Sequence, residues 1–112
     1  MSNVLTVTDE SFTHEIEHHA GLAMVDFGAD WCPPCRLIAP VVDRLAIEYE
    51  GRARIATLDV DANPASMARF NVRSLPTLLF FRDGTLVDRV VGAVPKAALE
   101  ARLARHLTQH AA

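Results

Sequence analysis

Hydrophobic positions along the chain fall into short runs and spaced faces that alternate in kind. Residues 4–7 read as a short strand. Residues 11 to about 19 read as a helix, with Phe12 and Ile16 on one face and Thr8 or Asp9 supplying a capping oxygen. Residues 22–27 are a buried-strand run broken by one acid, Asp26. Pro33 or Pro34 opens the next helix, where a missing backbone donor costs little. That helix carries Ile38, Val41, Val42, Leu45 and Tyr49 on one face and ends at Gly51. Pro40 lies inside it and is expected to kink it. Residues 55–60 form a third strand, followed by a short helix over about 64–70. Residues 76–81 and 86–91 are two more strands around Arg82-Asp83-Gly84-Thr85, a hairpin turn marked by Asp-Gly. Pro95 starts a last helix with Leu99, Leu103 and Leu107 spaced along it. Residues 109–112 are expected to fray. Strands alternating with helices, then a hairpin and a helix, predict an α/β sheet covered on both faces.

With 112 residues, the chain is expected to be a single domain, its ordered core about 4–107. Half of the residues are hydrophobic (50%), so a core can form without disulfide staples. The net charge of -3 offers no electrostatic case for nucleic acid or anionic membrane. No basic, apolar leader stands at the start, and the longest apolar runs fall far short of a membrane span. These features predict a soluble protein of the reducing cytoplasm. There, a close cysteine pair is more often catalytic or metal-binding than structural.

The only two cysteines lie in Trp31-Cys32-Pro33-Pro34-Cys35. A thiolate is the nucleophile in disulfide exchange, and a helix N-terminus stabilises it through free amides and the helix dipole. Cys32 stands at that terminus and is expected to attack. Cys35, about a turn further in, is expected to be more buried and to resolve the mixed disulfide. Half of a zinc site is the competing reading. It needs four ligands, and no second cysteine pair exists.

The surrounding residues resemble the thioredoxin family. They are Asp26-Phe27, Ala29-Asp30-Trp31-Cys32-Pro33-Pro34-Cys35, Ile38-Ala39-Pro40, Asp59-Val60-Asp61, Leu75-Pro76-Thr77-Leu78, Asp83-Gly84 and Val91-Gly92-Ala93. The likeness spans roughly residues 4–107, with the landmarks in family order. It implies the thioredoxin fold: a central mixed five-stranded sheet with helices on both faces, in the order βαβαβαββα. It also implies reduction of protein disulfides by dithiol–disulfide exchange. No metal or organic cofactor is implied in the chain. Electrons would come from an NADPH-dependent flavoprotein, a thioredoxin reductase, and the chain would act as a monomer. Asp26 matches the acid that helps deprotonate the resolving cysteine, and desolvation is expected to raise its pKa. Pro76 matches the family's cis-proline, beside which the Leu75 backbone can pair with an extended substrate. Trp31, Leu75, Gly92 and Ala93 map onto an apolar docking rim. Gly92 would leave room for an approaching chain or simply serve a strand-end turn.

Several positions depart from the family pattern. Pro33 stands where glycine is commonest, removing one amide near the Cys32 sulfur and making the couple more reducing; rigidity from Pro33 and Pro34 acts the other way. Gly28 replaces a usual tryptophan, which weakens the carry-over of partner contacts. Thr57 replaces a usual lysine, so Asp26 is expected to be harder to ionise. Ser74 replaces a glycine on the rim. Other uses of the fold remain open: a partner subunit with idle thiols, or a thiol oxidase or isomerase. His14-Glu15-Ile16-Glu17-His18 matches a zinc-protease string, which chance explains better in a short, solvated helix. Asp59, Asp61 and Asn63 resemble the start of a calcium loop, but Pro64 and Phe70 stand where that loop needs Gly and Glu.

Overall fold

The computed structural model describes residues 3–108. The expectation for residues 109–112 lies outside them. Five strands form one sheet in the order β1-β3-β2-β4-β5: β1 (Leu5–Thr6), β2 (Leu22–Gly28), β3 (Ala53–Asp59), β4 (Thr77–Arg82) and β5 (Thr85–Val91). Strand β3 runs parallel to both β1 and β2. Strand β4 runs antiparallel to β2, and β5 antiparallel to β4. Helices α1 (Pro33–Glu48), α2 (Pro64–Arg69) and α3 (Lys96–Thr108) complete the fold.

Strand alternation divides the core. Ala23, Val25 and Phe27 of β2 join Ala56 and Leu58 of β3 and the Phe12, Phe70 and Phe81 rings on one face. Leu22 and Met24 face the other way, against Ile38, Val42 and Leu45 of α1 and Leu99 and Leu103 of α3. Asp26 has the parity of Leu22 and Met24, so it points toward the α1 face. Helix α1 runs through Pro40 without interruption. Asp83 and Gly84 take φ of 49° and 84°, and Arg82 pairs directly with Thr85, which makes a two-residue hairpin turn.

The first helical segment differs from the α-helix expected over 11–19. Residues Thr13–Glu17 form a π-helical turn, with the His18 amide donating to the Thr13 carbonyl five residues back. The wider turn still buries both Phe12 and Ile16. The segment's own N-cap, Phe12, makes no side-chain capping bond; the Thr8 hydroxyl accepts from the Ser11 amide at 3.1 Å in the turn just before it. Asp9 does not cap it either. Its carboxylate accepts the Ala65 and Ser66 amides at 3.1 and 2.8 Å, capping α2 instead. The loop between β1 and the π-helical turn therefore closes against a helix far along the chain.

Candidate active site

Cys32 is the N-cap of α1, with extended backbone at φ -89° and ψ 110°. The two prolines that follow have no amide hydrogen. The first amide that the helix can offer the Cys32 Sγ is that of Cys35, which donates to it at 3.3 Å. Cys32 and Cys35 are joined as a disulfide, their Cα atoms 5.2 Å apart. Short spacing and a helical turn thus bring together the pair read from the sequence.

The expected order of burial is not found. Cys32 is 4% exposed and Cys35 is 8% exposed. The reason lies at Gly28, the last residue of β2. A Cβ at Gly28 would sit 3.3 Å from the Cys35 Sγ and 3.9 Å from Asp26 Oδ1. With no side chain there, a cleft of about 470 Å³ opens beside Cys35. Asp26, Gly28, Arg36, Ala39 and Thr57 line it. Cys35 faces this space, and Cys32 is not among the lining residues.

Asp26 lies within the buried run of β2, and its Oδ1 has no hydrogen-bond partner. Thr57 sits directly across in the β3 register, but its hydroxyl donates to the Asp26 carbonyl at 3.3 Å rather than to the carboxylate. Desolvation therefore acts unopposed and pushes the Asp26 pKa up to about 7. The rise agrees with the expected effect of desolvation. Near neutral pH the group can both take and give a proton.

The residues expected to form a docking rim lie at this end of the sheet. The indole of Trp31 is 64% exposed, and its Nε1 donates to Asp61 Oδ2 at 2.7 Å. Leu75 packs on the cluster that holds both cysteines. The Leu75–Pro76 peptide bond is cis, and the Pro76 carbonyl accepts the Gly92 amide at 2.8 Å. Gly92 has φ of 99°, a conformation that favours glycine, while a Cβ there would meet nothing within 4 Å. The positive φ calls for glycine by itself, and the space a Cβ would take is open. Ala93 is exposed beside it. The sequence reading missed the roles of Asp61, Arg36 and Ala39. Each depends on a contact or a wall that no local pattern announces.

The zinc-protease string carries no site. His14 is exposed and lies 3.7 Å from Glu15. Among the described residues no group of three or more His, Cys, Asp or Glu side chains is placed to hold a metal. No helix there is long and apolar enough to cross a membrane.

The family profile described as Thioredoxin matches residues 3–105. The chain is 49% identical over 104 residues to thioredoxins of Staphylococcus aureus strains Mu50, MW2 and N315. Each match covers 93% of this chain and 98% of the relative. A near full-length match, a mixed five-stranded sheet and a cysteine pair at the start of α1 agree: the chain belongs to the thioredoxin family, whose members are thiol–disulfide oxidoreductases.

Proposed function

We propose that the exchange runs through Cys32 as attacker, Cys35 as resolver and Asp26 as the proton-accepting group. The observation that carries this assignment is the position of Cys32 at the N-cap of α1, with the Cys35 amide directed at its sulfur. A charge-assisted hydrogen bond and the helix dipole both favour the Cys32 thiolate over the thiol. Cys32 attacks a substrate disulfide and forms a mixed disulfide, releasing one substrate thiolate. Cys35 gives its proton to the Asp26 carboxylate, through water in the shared cleft, and attacks the Cys32 sulfur. The second substrate thiolate leaves, and the protein disulfide closes. Two electrons pass from the dithiol to the substrate, with no cofactor in the chain.

Trp31, Leu75, Pro76, Gly92 and Ala93 form the docking rim in this reading, and Leu75 offers backbone groups to an extended substrate segment. Pro33 and Pro34 tune the couple by leaving Cys35 as the first amide donor. The protein works as a single-domain monomer in the reducing cytoplasm, and an NADPH-dependent thioredoxin reductase returns its electrons. The test is insulin-disulfide reduction with NADPH and a thioredoxin reductase. Activity that is lost in Cys32→Ser and strongly reduced in Cys35→Ser is expected. Full activity in Cys32→Ser refutes the assignment.

A further inference from the structure

The cleft beside Cys35 is lined by none of Trp31, Leu75, Pro76, Gly92 and Ala93. It nevertheless leads to a reactive sulfur. Its volume of about 470 Å³ lies in the range of small-molecule sites, roughly 300–1,000 Å³. Its floor holds Asp26, 6% exposed, whose Oδ1 has no hydrogen-bond partner. Its wall at Gly28 lacks the Cβ that would stand 3.3 Å from the Cys35 Sγ. Its mouth carries Asp30, Arg36 and Asp59.

We propose that this cleft admits small monothiols, which reduce the disulfide by attacking Cys35 instead of Cys32. The inference rests on the exchange chemistry assigned above. Which sulfur of a disulfide is attacked depends on access and on how well the other sulfur leaves. The leaving group favours attack on Cys35, because departing Cys32 carries its charge at the N-terminus of α1 under the Cys35 amide. Access usually forbids it, since a resolving cysteine is covered. Here Gly28 leaves that cover open, and the cleft meets Cys35 without meeting Cys32. An entering thiol therefore meets Cys35 before it can meet Cys32.

The step balances with two thiols. The first gives its proton to the Asp26 carboxylate. Its sulfur bonds to the Cys35 Sγ as the Sγ–Sγ bond breaks, and Cys32 leaves as a thiolate. A second thiol attacks the sulfur of the bound first one and releases a small disulfide and the Cys35 thiolate. The two thiol protons end on the protein dithiol. Two carboxylates against one guanidinium at the mouth favour neutral or cationic thiols over anionic ones.

The experiment uses the oxidised full chain and three probes: cysteamine, 2-mercaptoethanol and 3-mercaptopropionate. Trp31 fluorescence follows reduction, rates are corrected for thiolate fraction at low salt, and quenching with an alkylating agent traps the mixed disulfide for peptide mass mapping. The expected adduct is on Cys35, with alkylated Cys32. Cysteamine and 2-mercaptoethanol should react faster than 3-mercaptopropionate. Filling the cleft with Gly28→Leu should slow the first two about tenfold and move the adduct to Cys32. Because a new Cβ at Gly28 crowds the Cys35 sulfur, Ala39→Leu fills the cleft from the α1 side and should act in the same direction. An adduct on Cys32 in the unsubstituted protein overturns the proposal. If that protein still reduces insulin, the exchange assignment stands and only the monothiol route falls. A protein that does not reduce insulin at all removes both.

Discussion

Among the described residues, burial shifts the titration of Asp26 furthest from its ordinary range. Its folded pKa of about 7 lies above the ordinary aspartate value near 3.9. Between those values the folded chain binds more protons than the unfolded one, so stability falls as pH rises from about 4 through 7 and then levels off. A shift of that size corresponds to at most about 4 kcal/mol. Asp26→Asn removes the titration but adds amide hydrogens that need partners. We expect it to stabilise the protein by about 2–3 kcal/mol at pH 8 and by almost nothing near pH 4. Urea unfolding at the two pH values checks this, and an equal gain at both would rule out titration as the cause. Thr57→Lys should lower the Asp26 pKa by placing a cation opposite it in the sheet, read by carboxyl NMR titration. An unchanged pKa would refute that account. At the other end of the site, Pro33 occupies the first helical position. A capping side chain usually bonds the second or third amide, so Pro33 acts mainly through the helix dipole. Pro33→Gly should make the couple less reducing by only about 10–20 mV in glutathione equilibration. A more reducing variant would show that rigidity dominates.

Helix α3 is held to the sheet by more than its leucines. Asp88 of β5 accepts Arg102 Nη1 at 2.6 Å and lies 2.8 Å from His106 Nε2, and the His106 ring packs near Phe80. Burial pushes the Asp88 carboxyl up. Hydrogen bonds from His106 and the Arg89 amide, with the charge of Arg102, outweigh burial and hold it below the usual range. A depressed carboxylate stabilises the fold above about pH 4, and that contribution is lost as pH falls through the lowered value. Asp88→Asn should therefore cost about 1–3 kcal/mol at pH 7 and much less at pH 3, with faster amide exchange in α3. A cost that is the same at both pH values would count against the charged tether. The sequence showed the Leu99–Leu103–Leu107 face because that face has a period. It did not show Asp88 or His106, because their meeting depends on a bulge that shifts the β4–β5 register at Phe80 and Phe81. Asp9 is similar. A capping residue was legible, but its helix was not, since the partner amides belong to Ala65 and Ser66.

At the scale of the whole chain, local signals carried the architecture. An apolar run, a proline-opened helix and an Asp-Gly turn each declare themselves within a few residues, so every sheet strand was found to within two residues at each end. The redox pair was equally legible because spacing alone brings it together. What covers Cys35 was not, because the presence of a cleft depends on what Gly28, Ala39 and Thr57 jointly fail to fill. The same limit hid the close packing of the hairpin tip. Gly84 takes φ of 84°, and a Cβ there would come within 2.1 Å of the Glu17 carbonyl oxygen. A two-residue loop of Asp and Gly looks like a convenient place to insert a peptide tag or to open the chain for circular permutation. It is instead wedged against the π-helical turn, with Asp83 also holding the Gly21 amide at 2.7 Å. An engineer who cuts there would lose the contact between the hairpin and the π-helical turn, and should look for another place to cut.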